Sequence, residues 1–444
     1  MKLTSKTLFD FFCALPDYRN QEHSWKILHE IAEMLMCFVV AFLNGKSSGF
    51  QAWHWCLVHI DHLRSLGLTL GNGLASYSTH MRMLQSLDSG AFMLEFIDWM
   101  NNIIVVYGVH LAIDGKGLRG GTEKNRGGKC PYVLNVVETE KGLTIASMPI
   151  DAKTNEIKAI PEILSLISVD SNMITIDAIG TQIDIMNMII EEEGSFLMLV
   201  KKNHPEAYSS LTGYFDTLRN RINEQAKDEK KKSDFSMPED FDCTDWIFEK
   251  NHDRMEYRRA IVVHPNGNLD LISEILGAGS SMVKSGIGFQ TIGMIETVRI
   301  PIEKDSDGND ITPSLAEFLV NGSRSCPKPK VGDSEDCDIQ KVGTLSNRIL
   351  SATEVLEIKR KHWSVEAIHH VLDVTFAEDY NPAKSSKYNC SLLRKIVLNI
   401  VTMAVINGDV KDSNSTPVEA IHLSGQDELL KKYLFGNPPV INID

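Results

Sequence analysis

Val109-His110-Leu111-Ala112-Ile113-Asp114 reads as a short buried strand ending in an acid, and Met173-Ile174-Thr175-Ile176-Asp177 repeats the pattern. Between and after them the apolar periodicity predicts further elements. Tyr132 to Val137 and Leu143 to Pro149 read as strands joined in a hairpin through Thr139-Glu140-Lys141-Gly142. Helices are expected at 157–167 and 180–193, and a strand over Phe196 to Val200 leads into Lys201. The order β-β-β-α-β-α-β is that of an α/β layered domain. A carboxylate at the end of a buried strand is costly unless something neutralises it. Were the two strands to pair, their acids would repel and would be tolerated around a divalent cation. Oxygen donors with an open coordination sphere favour Mg²⁺ or Mn²⁺. The plainer alternative is that each Asp starts a turn or caps the next helix.

The flanks differ in texture. Residues 1–104 read as helices, at 25–38, 50–66 and 76–104. From 206 to 343 the α/β rhythm breaks. A charged helix (Tyr214 to Lys232) precedes β-like stretches at Arg258–Val263 and Gln290–Pro301, with Gly-, Pro- and Asp-rich loops at 305–310 and 321–338. Helices resume at Ala352 to Val374 and Ser391 to Ile406, and the tail after Gly408 is acidic.

At 444 residues, with 43% hydrophobic and 23% charged residues, the chain can bury a sizeable core, which excludes wholesale disorder. The apolar run Met34 to Leu43 is too short to cross a bilayer and no export signal precedes it, so no membrane is expected. Eight cysteines without a C-x-x-C pair point to free thiols in a reducing, cytoplasmic compartment. A net charge of −14 counts against a simple nucleic-acid binder. Two basic stretches stand out locally, however: Lys116, Arg119, Lys124, Arg126 and Lys129 against Glu123 alone, and Lys384, Lys387, Arg394 and Lys395 in an acid-free run from Tyr380 to Gly408. Such runs are usually solvated faces, but these lie near the carboxylates in sequence.

A third acid lies in Arg360-Lys361-His362-Trp363-Ser364-Val365-Glu366-Ala367-Ile368-His369-His370. On one continuous helix, Lys359, His362, Trp363, Glu366, His370 and Asp373 share a face. An indole among charges suggests stacking on a base or sugar. Zinc through His362, Glu366 and His370 is the competing reading, although the sequence has no H-E-x-x-H motif here.

Several blocks, in order, resemble bacterial insertion-sequence DDE transposases of the H-repeat-associated group. They are Leu15-Pro16-Asp17-Tyr18-Arg19, Ala112-Ile113-Asp114-Gly115-Lys116-x-Leu118-Arg119, Asn155-Glu156-Ile157, Thr175-Ile176-Asp177-Ala178-x-Gly180-x-Gln182, Val200-Lys201-x-Asn203, His252-x-Arg254-x-Glu256-x-Arg258 and His362-Trp363-x-Val365-Glu366 with Leu372-Asp373-Val374-x-Phe376-x-Glu378-Asp379. The resemblance runs from about residue 8 to about residue 406 and departs from the group's pattern at Ala367, His204 and Pro382.

The resemblance implies a helical, DNA-binding N-terminal domain (1–104) and an RNase H-like catalytic domain in two parts (105–205 and 344–408). A mainly β insertion (206–343) would interrupt that domain, and an acidic tail (409–444) would follow it. It implies phosphoryl transfer with two Mg²⁺ (or Mn²⁺) ions held by Asp114, Asp177 and Glu366. Lys116, Arg119 and Lys201 would clamp phosphates, and His362, Trp363, Lys384, Lys387 and Arg394 would also contact DNA. The partners implied are double-stranded DNA (terminal inverted repeats and target) and a second copy in a homodimer, at the nucleoid. Two alternatives share the site: an inactive or domesticated DNA-binding derivative, and an RNase H-like nuclease without strand transfer.

Overall fold

The structure, a computed structural model, describes residues 6–19, 21–119, 130–150, 156–225, 238–250, 254–302, 312, 314–315, 339–380, 386–410, 425–436 and 441. The chain divides into two compact units, Met1–Met173 with Lys361–Asp444, and Ile174–Arg360. It is a mixed α/β protein with a helical N-terminal region.

In the first unit, the described residues before the first strand hold α-helices α1 (Leu8–Ala14), α2 (Ile31–Leu43), α3 (Gly49–Val58), α4 (Ile60–Leu66), α5 (Tyr77–Ser86) and α6 (Ser89–Ile103). Oxygen-bearing side chains start most of them. Thr7 forms a capping box with Asp10, and Ser48, Ser76 and Asp88 accept from the third backbone N–H beyond themselves. Two expected helices divide, at His59, which makes no side-chain cap, and at Leu87-Asp88, where Asp88 caps a new start. Every residue of α2 except Glu33 is buried, as an all-apolar helix requires. Glu33 accepts from Thr69 and Leu70 and holds the α4–α5 connection.

Strands β1 (His110–Gly117), β2 (Tyr132–Glu138) and β3 (Leu143–Ile150) form an antiparallel meander with the expected hairpin, followed by α7 (Glu156–Leu164). The β2–β3 register slips at Val136/Val137. There the buried Asn399 side chain closes the gap, accepting from Thr144 N (3.0 Å) and donating to Thr144 O (2.8 Å).

In the second unit, strands follow the order β4 (Met173–Ile176, its first residue in the first unit), β5 (Ser195–Val200), β10 (Gln340–Ser346), β9 (Thr291–Pro301), β8 (Arg254–Val263) and β6 (Phe241–Cys243), with β7 (Ile247–Lys250) on β8. Helices α8 (Ile183–Glu191), α9 (Pro205–Gln225), α10 (Leu269–Leu276) and α11 (Ser281–Lys284) accompany them. β10 pairs antiparallel with both β5 and β9, so strands from the expected insertion continue the sheet that holds β5. Glu296 on β9 and Glu256 on β8 are buried but doubly paired, Glu296 with Arg219 and Arg259, Glu256 with Arg299 and Arg258. The loops expected at 305–310 and 321–338 lie outside the described residues.

The helix expected over 352–374 is two, α12 (Ala352–His362) and α13 (Ser364–Val374), separated at Trp363. The first unit closes with α14 (Lys387–Ile406) and α15 (Asp427–Leu434). α14 is apolar and long enough to cross a membrane, yet 83% of its apolar window is buried against α2, α5, α6 and β3. It is a core helix. The tail, expected to be merely acidic, is built into the same unit. Tyr433 is buried with its hydroxyl donating to Asp409 Oδ2 (2.6 Å), and Ile441 N donates to Ile103 O (2.7 Å).

Asn399→Ala orphans the backbone N–H and C=O of Thr144. At roughly 1–3 kcal/mol for each group, it is expected to destabilise the first unit by about 2–6 kcal/mol, read as a lower urea midpoint by circular dichroism.

Candidate active site

Asp114 lies on β1 opposite Asn135 of β2. Residues i and i+2 of a strand share a face, so Asp114 and Lys116 point to the same side, where α13 packs. His369, on α13, brings Nδ1 to 3.7 Å from Asp114 Oδ2. Ser147 Oγ donates to Asn135 Oδ1 (2.8 Å), which leaves Asn135 Nδ2 to donate to His369 Nε2 (2.8 Å). The ring proton therefore sits on Nδ1, facing Asp114. Burial, with Lys116 and Lys395 nearby, lowers the His369 pKa to about 3, so at neutral pH the ring carries no charge to neutralise the carboxylate. Glu366 is exposed in the first turn of α13, one turn ahead of His369. The first and third acids thus come from one neighbourhood of the first unit.

The break at Trp363 dissolves the single face expected for 359–373. His362 is buried, whereas Glu366 and His370 are exposed, and it is His369 rather than His370 that turns toward β1. The zinc grouping of His362, Glu366 and His370 is therefore not formed, and His362 does not present itself to DNA. Trp363 remains 42% exposed.

Lys116 also departs from its expected role. It is 6% exposed, and its ammonium donates to Asp373 Oδ1 (2.7 Å), Glu378 Oε2 (2.7 Å) and His369 O (3.2 Å). Arg394 is buried likewise, donating to Ser47 O (2.9 Å) and lying 3.9 Å from Glu378 Oε1. Neither presents a cation to a phosphate. Glu378 is drawn down to about 2 because Lys395, Lys116 and Arg394 outweigh the burial that would otherwise raise it. Burial lowers Lys395 to about 8 despite Glu378. Arg119 keeps the exposure expected of a clamp, at 82%, while its backbone N–H is fixed by Asp379 (3.0 Å). Lys387 is half-buried beside the Tyr388 ring, and Lys384 lies outside the described residues.

In the second unit Asp177 follows β4 and opens a 3-10 turn, Ala178–Gly180. Asn203 Nδ2 donates to Ala178 O (2.7 Å) and Thr181 Oγ1 to Leu199 O (2.7 Å), seating the turn on the end of β5. Lys201 Nζ lies 3.2 Å from Asp177 Oδ1, with both side chains about half exposed. Partial burial works against ionisation of Asp177, but the Ala178 N–H, Lys201 and Lys359 prevail and hold its pKa below the usual carboxylate value.

All three expected acids offer carboxylate oxygens, the donors that hard divalent cations take. Asp114 and Glu366 belong to one unit and Asp177 to the other. Among the described residues no three His, Cys, Asp or Glu side chains group closely enough to hold an ion. The sequence reading missed Asn135, Ser147 and His369. Their signal was a single polar residue inside an otherwise apolar strand, as in Val133-Leu134-Asn135-Val136-Val137. Gly115 is required where it stands, because a Cβ there would lie 2.5 Å from Tyr132 Cε1 and 2.9 Å from Glu156 Oε1.

Residues 9–100 match the DDE_Tnp_1-associated family, and residues 108–387 match the transposase DDE domain family. YncI of Escherichia coli K12 is 30% identical over 214 residues, 48% of this chain and 85% of that protein. Its O157:H7 counterpart is also 30% identical, and the match spans about half (54%) of its length. The H repeat-associated YhhI of E. coli K12 is 26% identical over 404 residues, 89% of this chain and 90% of that one. All three carry the word transposase in their names. A cryo-EM structure of a piggyBac transposase synaptic complex with hairpin DNA is matched at 10% identity and a TM-score of 0.40, over 96% of this chain and 81% of that one. A likeness this low carries no argument.

Two outcomes are expected. Gly115→Ala costs about 1–3 kcal/mol by overpacking, read as a lower Tm. Glu378 has a folded pKa of about 2, below its unfolded value near 4.5, so its contribution is complete above pH 4.5 and is lost as pH falls toward 2. That loss amounts to about 3 kcal/mol, and Glu378→Gln should flatten the acid limb of a stability-against-pH curve.

Proposed function

Because the chain belongs to the transposase DDE domain family, which it matches over residues 108–387, we propose that it cuts and rejoins the ends of an insertion sequence, with Asp114, Asp177 and Glu366 as the catalytic, metal-holding carboxylates. The carrying observation is that α13, the helix on which Glu366 lies, packs on the strand that bears Asp114, with His369 Nδ1 3.7 Å from Asp114 Oδ2. The antiparallel β1–β2–β3 meander followed by α7, β4, α8 and β5 supports an RNase H-like catalytic domain. Asn172 supports it further. Its Oδ1 accepts from Val109 N (2.9 Å), and Met173 N donates to Val109 O (2.8 Å), so the stretches leading to the two aspartates start from one anchor.

The residues divide the work. Asp114 stands beside a neutral His369, whose Nδ1 lies 3.7 Å from Asp114 Oδ2 and whose tautomer is set through Asn135 and Ser147. Asp177 is kept ionised by Lys201 and Lys359. Mg²⁺ or Mn²⁺ held by the three carboxylates would supply Lewis-acid stabilisation of charge at the scissile phosphate. Arg119, Lys201 and Lys387 are the exposed or half-exposed cations that would take DNA phosphates, and Trp363 offers an indole for stacking. Cutting two ends favours a homodimer on double-stranded DNA.

With Mg²⁺, the purified protein is expected to cleave a labelled terminal inverted repeat and join it to a second duplex. Asp114→Asn should remove this activity by more than the roughly 100-fold that loss of an outer-shell partner costs. Cleavage persisting in that variant refutes the assignment, and cleavage without joined product identifies a nuclease instead.

A further inference from the structure

Resting on that reading, we infer that Lys116 is a positioning residue: its buried ammonium bolts the helix carrying Glu366 onto the strand carrying Asp114 and so fixes the spacing of the two carboxylates. It stands two residues after Asp114 on β1, on the same face of the strand. Its three bonds all go to the segment that bears the third acid. Asp373 Oδ1 (2.7 Å) and His369 O (3.2 Å) lie on α13, and Glu378 Oε2 (2.7 Å) lies on the 3-10 turn Glu378–Tyr380 that follows. An ammonium has three protons to give, and here each has an acceptor. His369 O and Asp373 lie one and two turns beyond Glu366 on the same helix, so the bonds fix both the axial position and the rotation of α13 against β1. Among the described residues, neither neighbouring cation serves both ends of this link. Arg394 reaches Glu378 only at 3.9 Å and spends a donor on Ser47 O, and Lys395 donates to Ser391 Oγ. A ligand pair depends on partners that fix its geometry, and losing such a partner weakens metal binding and rate together.

Lys116→Met alone leaves Glu378 buried without its nearest counter-charge and is prone to unfold. The informative variant is therefore Lys116→Met with Glu378→Gln, which keeps shape while removing both charges. Asn399→Ala, destabilising in the same unit through its bonds to Thr144 rather than to the Lys116 cluster, is the matched control. The double variant is expected to fold by circular dichroism. Its Mn²⁺ affinity by calorimetry should fall about 10- to 100-fold, with a matching rise in the Mg²⁺ concentration needed for half-maximal strand cleavage. Asn399→Ala should lower Tm without moving either quantity, and Lys116→Arg should recover part of the loss. A folded double variant with unchanged Mn²⁺ affinity and Mg²⁺ dependence overturns the inference. The reading it rests on fails separately, if the Asp114→Asn variant binds Mn²⁺ as well as the unaltered protein does.

Discussion

An ammonium taken out of water is tolerated only where its protons are all accepted and its charge is answered. Lys116 meets that condition with groups more than 250 residues away along the chain, Asp373 and Glu378. Glu378 in turn answers Lys395 and Arg394, so three cations and two acids form one buried cluster on the helical side of β1. The cluster forms only if the beginning and the end of the chain fold together, and the first unit is assembled from those two segments. The packing of the helix that carries Glu366 on the strand that carries Asp114 follows from this constraint.

Asp114 and Asp177 look alike in sequence, each ending an aliphatic run before a small residue, yet their surroundings differ in kind. Asp177 is half exposed and faces a lysine, which favours its ionised form. Asp114 is more enclosed and faces a neutral imidazole that can donate a hydrogen but brings no charge. Local sequence set the strand and the turn in both cases. The electrostatics came from Lys201 in one and from a helix near the end of the chain in the other.

This contrast explains which features were legible. The strands around Asp114 and Asp177 and the hairpin between 132 and 150 were readable because an apolar run bounded by turns is a local signal. The breaks at His59 and Trp363 were not, since no Gly or Pro marks them. Asp88 was readable in principle as a cap. Lys116 and Arg394 were misread as surface cations because the acids that bury them are remote in sequence. The tail was misread because its composition is acidic, whereas Leu430, Tyr433 and Leu434 form an apolar stripe on a short helix packed against α1 and α4.

The discontinuity of the first unit has a consequence for synthesis. α2 is apolar on nearly every side, and one of its partners, α14, is encoded more than 340 residues later. At about 5–20 residues per second, a nascent chain would carry that helix without its partner for roughly 20–70 s while the whole second unit emerges. Until then it is a surface that chaperones can hold and that neighbouring nascent chains can stick to. Folding of the first unit is thus coupled to the synthesis of α14, and a ribosome that stalls within the second unit would release a product whose most hydrophobic helix has α1 and α3 but not α14 to pack against.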